Sequence, residues 1–166
     1  MVFNFLVPAE ATRRHYCVYI LLAKHRDTGG IVGYVGKTGD NREGCNPVIS
    51  RLGNHFSFNK IHSQMRNKLP DDPDGYDFEI FFTSFGEYKD PSLSRAGVEL
   101  INEMERELNR RCQENLKVKI LNPHKGSGFL NSVERKRRAA LRADVNVNRL
   151  DKLISAANSK IAGTGG

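Results

Sequence analysis

Tyr16–Ala23 (YCVYILLA) and Ile31–Gly36 (IVGYVG), with the turn residues Asp27-Thr28-Gly29-Gly30 between them, decide how this chain folds. The first run is rich in β-branched, aromatic and aliphatic residues, the composition of a buried strand. The second resumes the apolar pattern after a turn signal, so the two form a β-hairpin whose register the sequence leaves open.

Downstream, Asp40–Pro47 is a polar, Gly-containing loop with Pro47 suited to the first turn of a helix. Val48–Leu69 has helical periodicity, with Ile49, Leu52, Phe56, Ile61, Met65 and Leu69 as core candidates. Gly53 weakens that helix by roughly 1 kcal/mol relative to Ala and allows a kink or break there. Pro70–Gly75 is a loop, and Tyr76–Phe85 (YDFEIFFTSF) reads as a third strand. Asp90-Pro91 signals a second helix from about Ser92 to Asn115. Lys117–Leu121 is a short alternating segment that ends at Asn122-Pro123, followed by a loop over His124–Gly128. From Ser132 the chain is basic and helix-prone, and Gly163–Gly166 is expected to be disordered. The order implies an α+β fold with a small, mainly antiparallel three-stranded sheet flanked by helices. The expected division is a catalytic-sized domain over residues 1–131 and a basic helical tail over 132–166.

The 26 Lys and Arg exceed the 19 Asp and Glu, for a net charge of +7. Residues from 132 onward hold eight of those cations and three of the anions, so +5 of the excess lies there. A basic surface attracts polyanions, of which nucleic acid is the commonest large one in a cell. Cys17, Cys45 and Cys112 form no Cys-x-x-Cys pair, which argues against a zinc site or a disulfide framework and for reduced thiols in the cytoplasm. Met1–Ala11 is too short in its apolar run for a signal peptide, and no later segment is expected to span or enter a membrane.

Four places can carry chemistry. Tyr19 and Tyr34 lie in the two hairpin strands, where a tyrosine is ordinarily a packing residue. Arg51 and His55 are spaced i, i+4 and share a helix face, bordered by Val48 and Phe58. An arginine offers a planar fork of donors to phosphate, and a histidine moves protons near neutral pH. Val98, Ile101, Leu108 and Cys112 make an apolar stripe in which Glu105 fills the position between Ile101 and Leu108. A carboxylate there is either a buried ion pair or a metal ligand. Glu99, Glu103 and Glu107 read as solvated charges. Asn122, before Pro123, is at first sight a turn residue.

Taken in order, these residues resemble the GIY-YIG nuclease family. Cys17-Val18-Tyr19 and Tyr34-Val35-Gly36-Lys37-Thr38 look like its paired strand signatures, with Cys17 at the first glycine. Arg51 and His55 follow as in restriction-type members, then Glu105 between Met104 and Leu108, then Asn122. The likeness covers roughly Tyr16–Asn122. It implies a DNA endonuclease, restriction-like, with one divalent cation, Mg2+ by preference, held mainly by Glu105. It also implies that Tyr19, assisted by His55, acts as general base and that Arg51 stabilises the phosphate. Tyr34 would orient water or a phosphate oxygen, and Asn122 would fix the local geometry. Lys37, Lys125, Arg135, Lys136, Arg137 and Arg138 are the candidate DNA contacts, and a homodimer is one open arrangement. The rival reading is a non-catalytic DNA-binding protein with the basic tail as its working part.

Overall fold

The hairpin forms as β1 (His15–His25) and β2 (Ile31–Thr38), paired antiparallel from Cys17↔Thr38 to Lys24↔Ile31. The computed structural model describes all residues except 1, 3, 40–44, 60, 90–93, 127, 129 and 164–166. The start of the expected loop at Asp40, the Asp90-Pro91 helix signal and the chain end after Gly163 lie outside the described residues.

β1 is buried throughout Tyr16–Ala23, because both of its faces are covered. On one face Val18, Ile20 and Leu22 pack with Val35 against Ile101, Met104, Leu108 and Cys112 of α2 (Ser94–Asn115). On the other, Tyr19, Leu21, Ala23 and Tyr34 pack with Met65, Leu69 and Tyr76. The alternation follows from the two-residue side-chain period of a strand.

β3 (Tyr76–Glu87) pairs antiparallel with β1 along nearly its whole length. A fourth strand, the two-residue β4 (Lys119–Ile120), runs parallel to β2. The sheet therefore has four strands in the order β3-β1-β2-β4, one more than the three expected. The α+β class and the mainly antiparallel pairing hold. β4 falls within the alternating segment Lys117–Leu121, of which only two residues join the ladder, too few for patterning to count as a strand.

α1 runs only over Val48–Phe56, so the helix expected to reach Leu69 ends early, and not at Gly53. Beyond Phe56, polar side chains capture the backbone in place of helical bonds. Ser57 Oγ donates to the Asn54 carbonyl at 3.1 Å, and Asn59 Oδ1 accepts from the Ile61 amide at 2.9 Å. This turn chemistry leaves Phe58 and Ile61 exposed, against the expectation that Ile61 is core and Phe58 borders the Arg51 face. Met65 and Leu69 still reach the core through turns.

The C-terminal segment folds into α3 (Ser132–Leu141) and α4 (Asp144–Gly163). α4 inserts Leu150, Leu153, Ile154 and Ala157 into the same core as β1 and α2. Residues 132–163 are thus part of the main fold and not an appended tail, and Gly163 is the last residue of a helix. No described helix is long and apolar enough to cross a membrane. All three cysteines are buried, and among the described residues none forms a disulfide.

Candidate active site

The hairpin register sets Tyr19 opposite Gly36 and Tyr34 opposite Leu21, which puts the two tyrosines diagonally on one sheet face. A β-carbon at Gly36 would lie 2.3 Å from the Tyr19 hydroxyl. Glycine in the Tyr34-Val35-Gly36 run is therefore a steric requirement: the Tyr19 ring crosses the space a side chain would fill.

That crossing delivers the Tyr19 hydroxyl to His55 Nε2 on α1, at 2.6 Å. The Tyr34 ring meets the same imidazole edge-on, with centroids 4.9 Å apart. Arg51, one turn earlier, acts on Tyr19 by charge and hydrogen bond and on Tyr34 by charge. His55 is buried, and burial followed by the Arg51 charge lowers its pKa to about 4. Tyr19 is raised above its ordinary value, first by burial and then by Tyr34, with Arg51 pulling the other way. Both groups are therefore neutral near pH 7. With Tyr19 as the donor to Nε2 the ring proton sits on Nδ1, a buried atom with no hydrogen-bond partner among the described residues, and in the other tautomer Nε2 donates to the Tyr19 oxygen. Both shifts hold the proton on Tyr19 in the site as it stands, since the phenol is raised and the imidazole lowered.

Glu105 approaches from α2. It is not the residue that completes the apolar stripe, because Met104 occupies the position between Ile101 and Leu108. Glu105 sits on the flank, partly buried, with its Oε2 2.6 Å from Lys37 Nζ. Its charge raises both Tyr19 and Tyr34, so it belongs electrostatically to the same constellation. Glu103 and Glu107, expected to be solvated, are buried. Glu103 holds Arg106, Arg138 and Arg142, and Glu107 holds Arg110 and Arg111. Burial raises the Glu107 carboxyl, and the hydrogen bonds and charges of its two arginines lower it further than burial raises it.

Asn122 acts as a one-residue extension of the sheet. Its Oδ1 accepts from the Val35 amide at 3.0 Å and its Nδ2 donates to the Val35 carbonyl at 2.7 Å. Asn109, one turn after Glu105 on α2, is buried and was not evident from sequence. Its Nδ2 donates to the Asn122 carbonyl and its Oδ1 accepts from the His124 amide, both at 2.8 Å. Asn109 thereby ties the helix of Glu105 to the strand of Tyr34. The signal that could have found it is its i+4 spacing from Glu105.

The candidate DNA contacts are divided. Lys37 pairs with Glu105, Arg137 with Glu99 and Glu134, and Arg138 with Glu134 and Glu103. Lys125, Arg135 and Lys136 are exposed.

Among the described residues no group of three or more His, Cys, Asp or Glu could enclose a metal. A lone, partly exposed carboxylate suits a hard cation that keeps most of its water, as Mg2+ does, and does not suit a tetrahedral zinc cage. Comparison with known proteins returns no match, whether with family models, curated proteins or solved structures.

Proposed function

We propose that this chain is a metal-dependent DNA endonuclease of the GIY-YIG kind, hydrolysing a phosphodiester bond. One observation carries the reading: the 2.6 Å bond from Tyr19 to a neutral His55, with Arg51 acting on the same hydroxyl. A structural tyrosine needs neither a buried basic partner nor a guanidinium beside it. Residues of β1, β2 and α1 meet there, and Glu105 of α2 acts on the two tyrosines by charge.

Glu105 is the residue that would hold the divalent cation, Mg2+ by its oxygen preference. When bound, such an ion neutralises the scissile phosphate and stabilises the leaving 3′ oxygen. Tyr19 accepts a proton from the attacking water while its own hydroxyl proton passes to His55 Nε2. The water oxygen bonds to phosphorus as the bond to the 3′ oxygen breaks. Arg51 balances the negative charge that grows on the phosphate. Tyr34 orients the water or a phosphate oxygen, and Asn122 keeps β2 in place beneath it. The restriction-like role, the cytoplasmic setting and a homodimer that would present two such sites to duplex DNA belong to the same reading.

The rival, a non-catalytic DNA binder working through its C-terminal segment, draws less support. Part of that segment's charge is engaged in ion pairs, and α4 is committed to the core. Plasmid nicking with and without Mg2+ separates the two. Nicking that appears with Mg2+ and stops with a chelator is expected, and binding without any cleavage across divalent metals would overturn the proposal.

A further inference from the structure

A cavity of about 470 Å3 lies between α2, α3 and the loop after Asn122, lined by Arg106, Arg110, Arg135, Arg138, Arg142 and His124, with Glu103 and Glu107 also in its wall. The two signs of charge are separated by depth. The Glu103 and Glu107 side chains are 4% and 8% exposed, whereas those of Arg106, Arg110 and Arg142 are 37%, 52% and 35% exposed. Solvent meets guanidinium at the mouth, and the carboxylates sit below it. Glu103 serves Arg106, Arg138 and Arg142, and Arg138 is shared with Glu134, so two carboxylates face three guanidiniums and cation charge is left over.

Arg106 is held through Nη1 alone, at 3.3 Å from Glu103, which fixes the group and leaves its other donors available. Arg135 is exposed and has no ion pair among the described residues. Arg106, held at one nitrogen, needs less ordering to meet a phosphate's oxygens, and Arg135 adds a charge with no ion pair to give up. The cavity takes Glu103, Arg106, Glu107 and Arg110 from one flank of α2, and Glu105 projects from a different flank of the same helix.

We infer that this cavity is a second phosphate site, which grips the nucleic-acid backbone away from the scissile position. The inference rests on the nuclease reading for nucleic acid as the ligand, and its test is independent of cleavage. Binding of labelled duplex DNA is measured by fluorescence anisotropy without divalent metal, across a salt series. Arg135→Ala is the main variant because it breaks no ion pair, and Lys152→Ala removes the same charge from an exposed position on α4. Each lost phosphate contact flattens the log–log salt slope by about 0.9. The expected result is a flattening of about one unit for Arg135→Ala, about two for Arg106→Ala/Arg135→Ala, and little for Lys152→Ala. A wild type that does not bind DNA overturns the inference, as does an Arg135→Ala slope equal to that of Lys152→Ala. Loss of inorganic phosphate binding with an unchanged DNA slope also overturns it, because the cavity would then serve a small anion. Wild-type nicking with unaltered slopes removes this inference alone, whereas altered slopes without nicking remove the nuclease reading alone.

Discussion

Lys37 and Glu105 meet at 2.6 Å, an ammonium on β2 against the carboxylate proposed to take a divalent cation. Two cations cannot both have full use of one carboxylate, so metal entry requires Lys37 to give ground, and the phosphate arriving with the metal is a ready partner for it. Glu105→Ala is expected to abolish Mg2+-dependent nicking and to leave DNA binding near wild type. Glu103→Ala should behave differently. It leaves Arg106, Arg138 and Arg142 without their buried partner and should cost about 3 kcal/mol of stability. Nicking assays beside thermal melts check both, and a well-folded, inactive Glu103→Ala with an active Glu105→Ala would move the metal to Glu103.

Tyr19→Phe deletes only a hydroxyl. As the general base it should lose about 10²–10⁴-fold in rate. The stability change should stay near 1 kcal/mol, the net worth of one hydrogen bond. Single-turnover cleavage and denaturant melts give the two numbers, and a near-normal rate would return Tyr19 to packing.

His55 makes a prediction about pH. Its folded pKa of about 4 lies below the ordinary 6.5, so between those values the unfolded chain binds a proton that the folded chain does not. Stability therefore rises with pH across that window, and it is lost as pH falls from about 6.5 to about 4. The effect is at most about 3 kcal/mol. Subtracting the His55→Gln melting profile from that of wild type should isolate it. A difference that stays flat from pH 4 to 7 would show that His55 is not held neutral by its surroundings.

A chain ending at Asn131 should fail to fold. It loses Leu150, Leu153, Ile154 and Ala157 and uncovers the face of β1 and α2 on which they pack. This replaces the expected basic tail, separate from a domain over residues 1–131, with a helix that is part of the core. Leu150→Ala, a milder version, should cost about 2–5 kcal/mol. Circular dichroism and melts decide, and a folded, cooperative truncation would restore the separate tail.

Local physics made much of this protein readable in its sequence. An uninterrupted apolar run can only be a buried element, hence β1. A turn signal between two such runs brings them together, hence the hairpin with Tyr19 and Tyr34. Helical spacing alone aligned Arg51 with His55. Which flank of α2 meets solvent was beyond that reach, because it depends on elements far along the chain. Glu103 and Glu107 look like surface charges until α3 and α4 fold back over their helix, and Met104 takes the core position that spacing allots equally well to Glu105. The same holds for Asn109, whose role exists only once Asn122 lies beside Val35, and for His55, whose lowered pKa comes from burial under residues of other elements. Periodicity is a property of one segment and can be read there. Burial, ion pairing and pKa depend on what packs against that segment, and only the tertiary structure supplies the partner.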